Sequence, residues 1–353
     1  MDLQNLRKTV DSIDKKIIQL LNTRARTTLN ISKLKRRSGK SVYSPERERE
    51  VLRKLSIINE GPMSASALGA IYREIMSASL SLDKPLKIAY LGPEATFTHL
   101  ASLKRFGSQV GYVPCNSITD VFLEVEKDNA DYGVVPIENS IEGAVSHTLD
   151  MFMDSDLKIC SQIILDVSHH LLANCAKEKI KKIYSISQVF GQCRIWLQEN
   201  IPGAEKIEVS STTRAAQIAA REKNSACIAS LLASKVYKLK VVAGDIEDSP
   251  HNVTRFLIIG KTDVPPTGCD RTSVMFSIKD KVGALHDMLL PFKKYGINLT
   301  KIESRPSKKK AWDYYFFVDM DGHRQNSNVR KALLELEDKC KFLKILGSYP
   351  LGE

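Results

Sequence analysis

Arg47 and Glu48 lie in "SPERERE" (44–50), which continues into "VLRKLSII". Ser44 is a good N-cap and Pro45 is favoured at the first helical position, so a helix starts there. On a 3.6-residue wheel its apolar stripe is Val51, Leu55 and Ile58, with Leu52 beside it. Arg47 precedes Val51 by one turn and Glu48 precedes Leu52 by one turn, so both charges share the apolar face. Glu46, Arg49, Glu50 and Arg53 point elsewhere. In the helix before it, Arg24 continues the stripe of Ile17 and Leu20, and Lys35 returns to nearly the same angle. In the helix after it, Leu68, Ile71 and Ile75 form a stripe that Ser79 and Asp83 extend. Inward charge needs partners. Glu48 can pair with one cation, and the remaining positive charge asks for a small anionic ligand. Arg7 sits about 100° off the face of Arg24 and would reach such a site only in a partner chain.

The elements that must hold these groups are helical throughout residues 1–84. Leu6, Val10, Ile13, Ile17, Leu20 and Leu21 recur at helical spacing in a pattern that runs to about Arg37. Such a helix spans roughly 50 Å. Three helices of this kind cannot readily bury their stripes alone, which predicts a second copy packed against them as a homodimer. The same residues hold 17 Lys and Arg against 9 Asp and Glu, much of the chain's net charge of +11. Basic residues that face inward, rather than along one outer stripe, disfavour a nucleic-acid surface.

Pro85 opens a second segment, 85–262, in which strand-like runs such as "KIAYLG", "YGVVPI" and "RFLIIG" alternate with helical stretches. That alternation predicts an α/β domain with largely parallel sheets, in two lobes around a cleft. Its polar clusters fall after strands: "GPEATFT", "PIENSIEG", "YSISQVFGQC", "SSTT" and "NVTRF". Each by itself reads as well as a turn or a helix cap. His169 and His170 alternate sides of a strand, which favours core packing over metal binding. A Pro- and Gly-rich link leads to a third segment, 271–353. Its order of strand, helix, two strands, helix and strand predicts a ferredoxin-like α+β unit.

Composition excludes several classes. With 43% hydrophobic and 26% charged residues the chain reads as globular. No run of about 18 apolar residues predicts a membrane span. The start lacks the apolar core of a signal peptide, and seven cysteines without a C-x-x-C pair fit reduced thiols. The expectation is a cytoplasmic protein with no metal or cofactor.

"LRKTVDSIDKKIIQLLNTRARTTLNISKLK" with "YSPERERE" closely resembles the helical chorismate mutase family. The resemblance implies that Arg7 of a partner subunit, Arg24 and Arg47 hold the two carboxylates of chorismate. Lys35 would donate to the ether oxygen, Glu48 would accept from the hydroxyl, and Ser79 would be a polar contact. The family often has Asp where Ser44 stands, and Gln or Glu where Asp83 stands. Asp83 would donate only when protonated, so mutase activity is expected to rise as pH falls.

Residues 86–262 closely resemble prephenate dehydratase, a two-lobed, periplasmic-binding-protein-like fold. The resemblance implies Thr254 as the acid that protonates the leaving hydroxyl, and Arg255 as holder of a substrate carboxylate. Glu138, Asn139, Ser140, Ser185, Gln192, Ser211, Thr212 and Phe256 would complete the cleft. Ala95 stands where the family often has Gly, and Ile186 where it often has His. "GALHDMLLPF" and "ESRP" resemble an ACT domain, which implies phenylalanine as effector on Gly283, Ala284, Leu285, Asn298, Leu299, Glu303, Ser304 and Arg305. The expected whole is a bifunctional enzyme taking chorismate through prephenate to phenylpyruvate, inhibited by phenylalanine. Two rivals are a dehydratase with an inert N-terminal dimerisation arm, and a non-enzymatic ligand-responsive regulator.

Overall fold

The computed structural model describes residues 2–38, 43–82, 84–278, 282–307 and 314–351. The chain divides into two compact units. The first runs to Lys87 and takes in Arg105–Gly111; the second is Ile88–Lys104 with the chain from Tyr112 on.

The first unit is built on α1 (Leu3–Arg37), α2 (Pro45–Ile58) and α3 (Ala65–Ser81). Neither Pro nor Gly interrupts α1, and its last turn carries Lys35, Arg36 and Arg37, which favour the negative end of the helix dipole. Pro45 starts α2, as expected for the first helical position. Ser64 caps α3, its hydroxyl accepting from Ala67 N at 3.1 Å. Leu6, Val10, Ile13 and Ile17 remain about half exposed along α1.

In the second unit, one lobe contains β1 (Lys87–Leu91), α4 (Phe97–Phe106, whose last two residues belong to the first unit), β2 (Gly111–Cys115), α5 (Ile118–Glu126), β3 (Tyr132–Asn139), β4 (Gly143–Ala144), α6 (Ser146–Asp154) and β5 (Lys158–Asp166). The other contains β6 (His170–Ala173), β7 (Lys182–Ser185), α7 (Ser187–Gln192), α8 (Arg194–Asn200), β8 (Glu205–Glu208), α9 (Thr212–Ala219), β9 (Ser225–Ala229), α10 (Leu231–Tyr237) and β10 (Lys240–Ala243). The chain then returns to the first lobe as β11 (Val253–Gly260). The sheet orders are β2-β1-β3-β11-β5, with β4 on β3, and β10-β6-β9-β7-β8. The two crossings, β5 to β6 and β10 to β11, lie at the cleft.

The sheets are mixed, not largely parallel. β1–β3, β7–β8 and β7–β9 pair in parallel. β11 is antiparallel to both β3 and β5, and β6 to both β9 and β10. The reversal follows from connectivity: strands that carry the chain between lobes enter each sheet from the cleft side.

The C-terminal part is β12 (Asp270–Ser277), α11 (Ala284–Lys294), β13 (Leu299–Pro306), β14 (Tyr314–Asp321), α12 (Ser327–Lys339) and β15 (Phe342–Pro350). Its antiparallel order β13-β14-β12-β15 is that of the ferredoxin-like fold. It does not stand apart from the lobe that carries β5. Met275, Phe317, Leu346 and Tyr349 share one buried cluster with Ile137, Leu149, Phe152 and Ile159. At Gly347 an added Cβ would meet the carbonyl oxygen of Ile159 at 2.3 Å, so only glycine permits this approach of β15 to β5.

Candidate active sites

The helical unit encloses a pocket of about 540 Å³. α1 contributes Arg24, Thr28 and Lys35, α2 contributes Arg47 and Glu48, and α3 contributes Ser79. Arg105 and Phe106 complete the wall. Arg24 Nη1 donates to Ser79 Oγ at 3.1 Å, and Ser79 in turn donates to the Ile75 carbonyl at 2.7 Å. Glu48 Oε2 lies 3.0 Å from Arg105 Nη2, with the two side chains only 12% and 22% exposed. No hydrogen-bond donor among the described residues is aligned on that buried oxygen, so the pair is a charge contact. Arg47 lines the pocket, yet its side chain is 60% exposed and its guanidinium is ion-paired to Glu50 at 2.5 Å. The arrangement suits a small anionic ligand with a hydroxyl, since the lining offers both cations and a carboxylate acceptor.

In the second unit, Asn139 ends β3 and organises a polar chain across the cleft. Its Nδ2 donates to Thr254 Oγ1 at 2.8 Å and to Asn252 Oδ1 at 2.7 Å. Its Oδ1 accepts from Ile141 N at 2.9 Å and Glu142 N at 3.0 Å, which turns the chain after the strand. Ser140 Oγ ties this turn to the start of β11, donating to the His251 carbonyl at 2.9 Å and accepting from Val253 N at 2.9 Å. Asn252 Nδ2 donates to Gln192 Oε1 at 3.1 Å, and His169 Nε2 lies 2.8 Å from that same oxygen. An amide oxygen only accepts, so His169 carries its proton on Nε2. Burial holds the imidazole below the usual histidine range, which keeps it neutral. Beside this chain, Glu142, Gln188, Gln192, Asp248 and Asn252 border a cavity of about 430 Å³. Thr254 thus has its acceptor position filled by Asn139, and its own O–H is left to donate.

Residues 6–84 match the family Chorismate mutase type II, residues 88–264 match Prephenate dehydratase, and residues 272–338 match ACT domain. A bifunctional chorismate mutase/prephenate dehydratase from Aquifex aeolicus (strain VF5) is 51% identical over 354 residues, covering 99% of this chain and 98% of that protein. The chain belongs to the bifunctional chorismate mutase/prephenate dehydratase family. The Pseudomonas aeruginosa protein of the same description is 44% identical over 355 residues, covering 99% of this chain and 97% of that protein. Among solved structures, a prephenate dehydratase from Arthrobacter aurescens in complex with L-Phe is 33% identical, with a TM-score of 0.71, over 75% of this chain and 90% of that one.

Against that family, the expected residues divide. Arg24, Lys35, Arg47, Glu48 and Ser79 line one pocket. Arg7 does not; it lies 17 residues before Arg24 on α1, about 25 Å along the axis. Asp83 lies outside the described residues. Asn139, Ser140, Gln192 and Thr254 meet in the cleft network. Ser185 is fully buried and donates to the Ile228 carbonyl at 3.0 Å, and Ser211 caps α9 by accepting from Arg214 N at 3.0 Å. Thr212 is buried at the start of α9. Ala95 is buried with φ of 69°, a left-handed conformation that favours the glycine expected there.

Arg255, expected to hold a substrate carboxylate, is engaged by protein groups instead of by the Asn139 network. Neighbours on a strand point to opposite faces. While Thr254 meets Asn139, Arg255 Nη1 pairs with Asp319 of β14 at 2.6 Å and Nη2 donates to Tyr349 OH at 2.8 Å. Glu138 turns the same way, 2.9 Å from Lys301 Nζ and 3.7 Å from Arg255. Phe256 is buried in the sheet core. Burial disfavours the Arg255 charge, but Tyr349, Asp319 and Glu138 outweigh it and raise its pKa. The same burial pushes the Tyr349 hydroxyl up to about 12. The expected effector residues lie on α11 and β13: Gly283 (φ 78°) begins α11 ahead of Ala284 and Leu285, and Asn298 leads into Leu299. Asn298 Nδ2 donates to Asp321 at 3.0 Å. Glu303, Ser304 and Arg305 follow on the edge strand β13, and Arg305 forms a two-pronged pair with Asp150 of α6 at 3.2 and 3.3 Å.

Sequence reasoning missed Arg105 and Asp319; it assigned His169 to core packing and reached Asn252 only as the first residue of "NVTRF". Arg105 and Asp319 carry no local signal, because each is read only through a partner far along the chain.

Proposed function

We propose that the chain rearranges chorismate to prephenate in the helical pocket and converts prephenate to phenylpyruvate in the two-lobed cleft. The observation that carries this reading is the pair of polar sites, each inside the stretch that resembles the matching enzyme. The division taken is 1–84 for the mutase, 85–262 for the dehydratase and 271–353 for the ACT domain.

The rearrangement is a concerted [3,3] shift and needs positioning rather than a nucleophile. Arg24, Arg47 and Arg7 of a partner subunit bind the two carboxylates, Arg47 leaving Glu50 to do so. That holds the compact conformer in which the new carbon–carbon bond can form. Lys35 donates to the ether oxygen, where negative charge grows as the carbon–oxygen bond breaks. Glu48 accepts from the ring hydroxyl. A homodimer supplies the second Arg7, and the half-exposed stripe on α1 supports it.

In the second reaction the ring carboxylate leaves as CO2. Its bonding electrons enter the ring and expel the hydroxyl, which takes the Thr254 proton and departs as water; Thr254 recovers a proton from solvent. A threonine hydroxyl is a weak acid. Aromatisation and loss of CO2 supply the driving force, and the Asn139 hydrogen bond steadies the alkoxide left behind. Phenylalanine binds the ACT domain at the α11 start and along β13, and inhibits by favouring a less active state. Seven free cysteines, and no helix long and apolar enough to cross a membrane among the described residues, support a cytoplasmic setting.

One assay tests the reading: purified protein with chorismate, following chorismate loss and phenylpyruvate formation, with and without phenylalanine. Both conversions, the second slowed by phenylalanine, are expected. Turnover of supplied prephenate without turnover of chorismate would leave the helical unit an inert arm.

A further inference from the structure

We propose that Arg105 is a positioning residue of the mutase site, supplied from outside the stretch that resembles a mutase; this rests on the mutase reading above. The mutase match ends at residue 84, and Arg105 falls inside the dehydratase match of 88–264. Arg105 and Phe106 nevertheless belong to the compact helical unit and form part of its pocket wall.

Three observations fix the guanidinium. Nη2 is 3.0 Å from Glu48 Oε2. Nε donates to Tyr43 OH at 2.8 Å, and the guanidinium carbon is 5.9 Å from the centre of the Tyr43 ring. Phe106 packs its ring 5.0 Å from the same tyrosine. The segment that follows is tied to α3. Ser108 Oγ donates to Glu74 at 2.6 Å and Gln109 N donates to Ser77 Oγ at 3.0 Å. Gly107 has φ of 72°, and a Cβ there would meet Ser77 at 2.6 Å. Arg105 is therefore held by the helices whose carboxylate it faces.

The physical consequence concerns Glu48. A carboxylate this buried must be neutralised or paired. Were its partner Arg24 or Lys35, the pair would consume a cation that the substrate needs. Arg105 gives Glu48 a counter-charge from the pocket wall at 3.0 Å, without drawing on Arg24, which donates to Ser79. The Arg105 hydrogen bond to Tyr43 fixes the guanidinium, and so fixes the carboxylate that must accept the substrate's hydroxyl.

The test uses the full chain with Arg105→Gln and Arg105→Lys. Arg105→Gln is expected to lower mutase kcat/KM about 10-fold or more, the effect usual for partners that orient a reacting group. The loss is expected in kcat more than in KM, because the side chain acts on Glu48 and not on the substrate. Arg105→Lys, which keeps the charge, restores part of that loss. Turnover of supplied prephenate stays at the wild-type level, which shows that the variants are folded. Tyr43→Phe, which removes only the hydroxyl, gives a smaller loss in the same direction. Wild-type kcat/KM in Arg105→Gln would overturn the proposal while leaving the mutase reading intact. Absence of mutase activity in the wild-type chain would overturn both.

Discussion

Thr254 and Arg255 are adjacent on β11 but serve different parts of the protein. Asn139 donates to the Thr254 oxygen and leaves its proton free. Thr254→Ala is expected to cut phenylpyruvate formation from prephenate by about 100-fold or more while sparing chorismate consumption. Unchanged dehydratase turnover would remove Thr254 from its role. Arg255 is 10% exposed and its partner Asp319 is 12% exposed. Arg255→Met leaves that carboxylate buried and unpaired, so urea unfolding should show a loss of about 3–5 kcal/mol. A variant of full stability with a raised KM for prephenate would return Arg255 to the substrate. The motif "NVTRF" made both residues visible, but not their division of labour. Which face of β11 looks into the cleft depends on what lies beyond the sheet, and Asp319 is 64 residues away in the chain.

At the scale of elements, α1 is the clearest case. Its apolar recurrences predict a helix over most of its length, and α1 spans Leu3–Arg37. The stripe that the pattern assigns to a core is only partly covered by α2 and α3, leaving Ile13 and Ile17 about half exposed. The proposed homodimer would cover that stripe, and disrupting it has a cost. The paired substitution Ile13→Asp and Ile17→Asp should halve the mass measured by light scattering. It should also abolish mutase activity, since the partner's Arg7 goes with it. A monomer that keeps full mutase turnover would rule out a shared site. Strand polarity shows the opposite case. Alternating strands and helices suggest parallel pairing, but β11 and β6 are antiparallel because the chain crosses twice between lobes. A crossing is a property of the path, and residue types do not record it.

For the whole molecule, the C-terminal sheet is part of the catalytic lobe's core rather than a tethered module. Asp319, Tyr349 and Ser273 close around Arg255, with Ser273 Oγ 2.7 Å from Tyr349 OH. The strand bearing Thr254 is thereby joined to the sheet expected to sense phenylalanine, which gives an effector a route to bias the cleft. Buried imidazoles set the acid limit of this unit. Burial lowers the pKa of both His99 and His169. Unfolded, each titrates near 6.5. Below that pH the unfolded chain binds protons that the folded chain refuses. Their contribution is therefore complete above about 6.5 and is lost as pH falls toward the folded pKa values. The free energy of unfolding measured with urea should drop between about pH 7 and pH 5, by at most about 1.4 kcal/mol per group per pH unit. His169→Asn should reduce that slope; an identical slope would exclude His169 as a contributor.

The sequence by itself determined the three classes of segment, the inward face of each N-terminal helix, and five polar residues that line the helical pocket: Arg24, Lys35, Arg47, Glu48 and Ser79. These are local properties: a helix face follows from spacing over a few turns, and a strand from a short apolar run. The tertiary structure alone decided the partners. It placed Arg105 against Glu48, turned Arg255 and Glu138 toward β13 and β14, and joined Thr254 to Asn139, Asn252 and Gln192. Such pairs close loops of many residues, 62 between Tyr43 and Arg105. Their selection rests on packing and on the high cost of leaving any buried charge without a counter-charge.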